Sequence, residues 1–160
     1  MANYYPFMVN LNQKLILVFG GGKVATRKVE ALLPYGPSIK VVSPTLTSSL
    51  QRLVDTGKVH WKSKTFDPLD LYERAFLVIA ATDQAETNRN IVNLSKKIPF
   101  RLNVSEPSSG NMIMPAIARQ GEVQVAISTN GSSPALAKQL RKQFESLLPS
   151  LKSVAYNKDV

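Results

Sequence analysis

The chain is 160 residues long, 44% hydrophobic and 19% charged, enough for one continuous core with a smaller appendage at most. With no cysteine and one histidine, its composition excludes disulfides, thiolate nucleophiles, zinc ribbons, iron–sulfur clusters and multi-histidine metal sites. Its 20 Lys and Arg against 11 Asp and Glu give a formal net charge of +9, which favours an anionic partner, either nucleic acid or a highly anionic small molecule.

Lys14 to Phe19 is an apolar run ending at three glycines, the pattern of a strand buried on both faces of a parallel sheet. Residues 23–33 read as a helix whose apolar side is Val24, Val29, Leu32 and Leu33, stopped by Pro34 and Pro37. Residues 39–42 form a second strand, 47–56 a helix ended by Gly57, and 59–61 a weaker strand. His60, in that strand, reads as an ordinary structural histidine. Residues 76–81 are another buried strand, 84–97 a helix and 99–104 the last strand of the series. This alternation implies right-handed parallel crossovers and an open, doubly wound α/β sheet with helices on both faces. After Gly110 the pattern changes. Residues 112–118 and 123–129 read as strands of a hairpin turning at residues 119–122, with Met112 and Met114 as core positions. A helix follows over 134–148, with Pro134 near its first position. Residues 1–112 are therefore expected to form the α/β domain. Residues 113–150 form a small α+β segment, too small for its own core and completed on another subunit, and 151–160 a loose tail. No apolar run approaches the ~18 residues of a membrane span, and residues 1–12 lack the basic-then-apolar layout of a leader, so a cytoplasmic protein is expected.

The glycines carry the chemistry. Gly20, Gly22 and Ala25 fit G-x-G-x-x-A between a buried strand and a helix, the context of a Rossmann-like dinucleotide site. Gly20 permits the tight turn, Gly22 lets the backbone approach a pyrophosphate, and Ala25 lets the helix pack close to the strand. Gly21, Lys23 and Val24 complete the turn, and the free amides of the helix start face the phosphates. The second strand ends at Ser43 and Pro44, about twenty residues on, where an acid usually grips the adenosine ribose. Serine is a weaker ribose ligand, and Lys40 and Arg27 leave room for a 2′-phosphate, so NAD and NADP both stay open. Ala81, Thr82 and Asp83 follow the fourth strand at the edge that faces the crevice, with Thr82 and Asp83 also suited to cap the next helix. Asn88 and Asn103 bracket the same crevice, Asn103 as a further cofactor contact.

Together these motifs resemble the precorrin-2 dehydrogenase family, the N-terminal part of siroheme synthases. The residues that carry the likeness are Tyr5 to Leu11, the glycine turn through Lys28, Val41 to Pro44, Ala80 to Asp83 with Asn88, Asn103-Val104, and Ile127 to Pro134. The resemblance implies NAD-dependent oxidation of precorrin-2 to sirohydrochlorin, in siroheme biosynthesis, by a homodimer that exchanges its C-terminal segment. A polycarboxylate tetrapyrrole substrate suits a basic chain without invoking nucleic acid or a membrane. The family's catalytic aspartate follows its Asn-Val strand; here the stretch is shorter and Glu106 is its only carboxylate, so the role passes to Glu106, expected beside apolar walls as proton acceptor. The loop of Ser128, Asn130, Ser132 and Ser133 reads as a seat for substrate carboxylates, within reach of Arg119, Lys138 and Arg141. The chain would be a short, monofunctional form without chelatase activity and without a metal site. Rival readings are a non-catalytic dinucleotide-binding regulator and a bifunctional dehydrogenase/ferrochelatase.

Overall fold

The computed structural model describes residues 4–72 and 74–151. The expected loose tail at 151–160 falls, but for residue 151, outside the described residues. The chain divides into two compact units, one spanning Tyr5–Met112 and the other built on the residues from Ile113 onward.

The first unit alternates strands and helices: β1 (Leu15–Phe19), α1 (Lys23–Leu32), β2 (Ser38–Val42), α2 (Ser48–Asp55), β3 (His60–Lys62), β4 (Leu77–Ala80), α3 (Ala85–Leu94) and β5 (Phe100–Asn103). All five strands are parallel, in the order β3-β2-β1-β4-β5. The chain winds outward from β1 to β3, then crosses back to β4 on the other side of β1. Right-handed crossovers therefore set α1 and α2 on one face and α3 on the other. Side chains obey the period of two. Leu15, Leu17 and Phe19 share a core cluster with Val78 and Ala80 and with Ile91 and Val92 of α3, so Ile16 and Val18 point to the opposite face. Ile16, Leu17, Val18 and Phe19 are all fully buried, and each such side chain stabilises the fold by about 1.5–3 kcal/mol relative to its exposed state.

Local chemistry moved several boundaries. Helix α3 stops at Leu94 rather than running to Lys97, because the Ser95 hydroxyl donates back to the Ile91 carbonyl and competes with the backbone. Thr82 and Asp83 do not cap it: the cap position is Gln84, whose side chain accepts from no backbone amide of the helix. Helix α2 begins at Ser48, with Thr47 as its cap rather than its first residue, Thr47 Oγ1 accepting from the Leu50 amide.

The second unit is an antiparallel hairpin, β6 (Ala116–Gln120) and β7 (Val123–Ile127), followed by α4 (Pro134–Leu151). Strand β6 starts after Pro115 rather than at Met112, since proline has no N–H to give a ladder. The turn closes on Gly121, whose φ of +60° suits glycine. Helix α4 runs through Pro149, past the expected end at 148, and forgoes the bond that residue's missing N–H would make to Glu145.

Candidate active site

A cleft of about 810 Å³ opens at the carboxyl ends of β1, β2 and β4, across the point where the winding reverses, which is where open parallel sheets bind ligands. Its floor is the turn from Gly20 to Val24. Gly20 has φ +114°, and a Cβ there would stand 2.2 Å from the Ala81 carbonyl oxygen. A Cβ on Gly21 would meet the Thr45 carbonyl oxygen at 2.0 Å. Both glycines are therefore demanded by the protein's own backbone.

Gly22 is different. Its φ is an ordinary −81°, and a Cβ would find nothing within 4 Å. It caps α1, a helix with no acidic residue in its first turn, so bare amides and the positive end of the helix dipole stand at an open space. That opening fits a dinucleotide pyrophosphate. Thr26 braces the turn from behind, its hydroxyl donating to the Gly22 carbonyl at 2.9 Å and sharing a bond with Thr47 Oγ1 at 2.8 Å. Ala25 is fully buried where α1 meets the sheet. Lys28, farther along α1, is held below the usual lysine range by burial, and secondarily by the Arg27 guanidinium.

At the end of β2, Ser43 and Pro44 line the cleft beside Val42 and Thr45. The Ser43 side chain lies 6% exposed under the glycine turn, and its carbonyl accepts from Trp61 Nε1 at 2.9 Å. Thr65 and Phe66 close this side of the cleft. Sequence reasoning missed them: they sit on the irregular crossing from β3 to β4. The one available signal was Phe66 as a core aromatic, and it packs edge-on against Phe19 at 5.0 Å.

The opposite rim is held by two buried asparagines. Asn88 Oδ1 accepts from the Thr82 amide and hydroxyl at 2.9 and 2.7 Å, and its Nδ2 donates to the Thr82 carbonyl and to Ser105 Oγ. It ties the loop after β4 to the loop after β5. Asn103 accepts from the amides of Ser105 and Glu106 and donates to Ser109 Oγ. Its side chain is fully buried with its bonds taken inside that loop; Val104 lines the cleft in its place. Ala81, Thr82 and Asp83 all line the cleft, and its charged lining residues are Lys23 and Asp83.

Glu106 stands at the start of the loop that Asn103 shapes. The apolar walls expected around it are replaced by Arg89, whose Nε donates to Oε2 at 2.8 Å, both side chains being about half exposed. Arg89 was not singled out in the sequence, because no spacing rule links a helix residue to a loop 17 positions away. Among the described residues, no group of three His, Asp or Glu side chains is placed to hold a metal ion.

The serine loop lies in the second unit. Ser133 Oγ accepts from the Leu136 amide at 3.2 Å, capping α4, while Thr129 Oγ1 accepts from the Ser133 amide and the Ser132 hydroxyl donates to the Thr129 carbonyl. Ser128 Oγ accepts from the amide of Asn130, which has φ +51°, and Asn130 and Gly131 are exposed. The loop thus spends much of its hydrogen bonding on its own turn.

A winding reversal, a glycine turn opening a helix and an unobstructed Gly22 define a dinucleotide-binding α/β domain. In keeping with this, residues 7–116 match the family model described as NAD(P)-binding, and residues 120–147 match that of the central region of sirohaem biosynthesis proteins. The chain belongs to the precorrin-2 dehydrogenase family. It is 41% identical over 145 residues to the siroheme synthase of Xylella fastidiosa (strain M12), a match covering 90% of this chain and 30% of that protein. A siroheme synthase of Actinobacillus pleuropneumoniae serotype 3 (strain JL03) is likewise 41% identical over 148 residues, covering 92% of this chain and 30% of the relative. The chain thus spans about 30% of the length of these curated relatives. Among solved structures, SirC, a precorrin-2 dehydrogenase, superposes with a TM-score of 0.74 at 32% identity, covering 90% of this chain and 71% of that one.

Proposed function

We infer that this protein oxidises precorrin-2 to sirohydrochlorin with NAD as hydride acceptor, a step of siroheme biosynthesis. The observation that carries the reading is the cleft itself: an open helix start at Gly22 on one wall and a loop bearing Glu106 next to the Val104 rim of the other. The family relationship supplies the substrate class. NAD, when bound, supplies the electron-deficient ring that takes a hydride.

The chain's own part is binding, alignment and proton handling. Amides at the start of α1, with Lys23 beside them, hold the phosphates, and Ser43 and Pro44 flank the ribose. Ala81, small and at the strand end, lets the cofactor lie against the backbone. Thr82, clamped by Asn88, and Asp83 border the reactive end. Oxidation removes a hydride and a proton from the macrocycle, and Glu106 is the carboxylate assigned to the proton, held in place through Asn103. The serine loop at Ser128–Ser133 is assigned to substrate carboxylates. A homodimer with an exchanged C-terminal segment is supported by apolar residues left exposed on both units, among them Phe7, Met8, Leu136 and Leu147. No helix among the described residues is long and apolar enough to cross a membrane; a cytoplasmic site of action is our reading.

Anaerobic mixing of the purified protein with precorrin-2 and NAD tests the assignment. Reduced-coenzyme absorbance should rise in step with formation of sirohydrochlorin. Tight NAD binding without turnover would instead identify a dinucleotide-binding regulator.

A further inference from the structure

The Arg89–Glu106 pair lies beside a groove of about 450 Å³ on the exposed side of α3, lined by Glu86, Thr87, Arg89, Asn90 and Asn93. Thr87 and Asn90 line the cofactor cleft as well, so groove and cleft adjoin across these two side chains. The guanidinium binds Glu106 through Nε alone. Its terminal nitrogens make no other hydrogen bond among the described residues, which leaves the flat, two-pronged edge that matches a carboxylate open to the groove. An ion pair as exposed as this one, 57% and 45%, is a weak interaction, within about 1 kcal/mol of zero. Exchanging one carboxylate partner for another therefore costs little.

We propose that Arg89 is the seat for one carboxylate arm of the substrate, and that Glu106 is its resident partner until that arm arrives. The proposal rests on the substrate being a polycarboxylate tetrapyrrole, as inferred above. An acetate or propionate arm entering the groove takes the guanidinium edge, with Thr87, Asn90 and Asn93 as neutral hydrogen-bonding neighbours. Glu106 is released from its ion pair with Arg89 and turns to the macrocycle as the arm brings it alongside. Arg89 is thus a substrate-binding residue that also sets when the carboxylate next to it is free. Glu86 fixes the sign of the test: without Arg89, the groove holds Glu86, with an unmatched Glu106 beside it, and repels an anionic arm.

Uroporphyrin, a fluorescent and unreactive porphyrin polycarboxylate, is the probe, titrated into the NAD-loaded full chain. Arg89→Gln should raise its Kd about tenfold, the loss expected for one charged hydrogen-bonded contact, while NAD affinity measured by calorimetry stays put. Glu106→Gln should act in the opposite direction, tightening uroporphyrin about threefold because the guanidinium no longer has a charged resident. With precorrin-2, Arg89→Gln should raise KM about tenfold with kcat changed less than about threefold. Lys96→Gln, an exposed cation just beyond α3, is the control for general attraction of an anion. An Arg89→Gln protein that binds uroporphyrin like wild type, or no more weakly than Lys96→Gln, overturns the seat, as does a wild type that does not bind it. Arg89-dependent uroporphyrin binding in a protein that leaves precorrin-2 unoxidised keeps the seat and removes the dehydrogenase reading.

Discussion

In the sheet unit, β1 and β4 run through the interior with Ile16 to Phe19 and Leu77 to Ala80 buried, while among the described residues of the hairpin unit the buried hydrophobic ones are Ala118, Ile127 and Leu148. Both units carry amphipathic helices. The first can close its core because three crossover helices cover two faces of one sheet. The second has one helix against two strands, and it leaves Val123, Leu136 and Leu147 about half exposed. Two strands and a helix give too little interior for independent stability, so the surplus apolar surface is what a second copy of the chain would cover. The closest backbone approaches lie in the first unit, where Gly20 and Gly21 are hemmed in by carbonyl oxygens; Gly121 and Gly131 have open space for a side chain and are set only by their positive φ.

That contrast predicts where change is tolerated. The largest effect is expected from Gly20→Ala, which combines a 2.2 Å approach to the Ala81 carbonyl with a φ of +114°. Thermal unfolding should show a loss of about 3 kcal/mol or more, and calorimetry should show NAD binding abolished. A variant folded and binding as wild type would mean that the glycine turn is not the rigid floor described. A middle effect is expected from Leu136→Gln with Leu147→Gln on α4. Since both side chains are already about half exposed, the stability of the isolated chain should change by about 0.5 kcal/mol or less. Sedimentation should nonetheless show the proposed dimer weakened by about tenfold or more in Kd. An unchanged oligomer would separate these leucines from any subunit interface.

The smallest effect concerns Lys28, whose pKa lies below its ordinary 10.5 chiefly through burial. The unfolded chain then binds more protons than the folded one between the lowered pKa and 10.5, so stability should rise with pH through that window. Lys28→Met should flatten that rise in urea titrations at a series of alkaline pH values. An identical slope in the variant would exclude Lys28 as its source.

Much of this was legible in one dimension. Buried parallel strands announce themselves as unbroken apolar runs such as Leu15 to Phe19, and a phosphate-binding turn must be written in glycines because only a missing Cβ admits a carbonyl at 2.2 Å or an open cradle at Gly22. The parallel, doubly wound sheet, the location of the crevice and the cofactor class followed from these local rules. Less local features were hidden. Thr65 and Phe66 reach the cleft from an irregular crossing, Asn103 is drawn inward by the amides of its own loop, and Glu106 faces a guanidinium 17 residues away. Strand periodicity and glycine spacing are properties of neighbours along the chain, so residue order suffices to specify them. Which side chains meet across a rim depends on how separate crossovers land on the sheet, and that is settled only when the whole core packs.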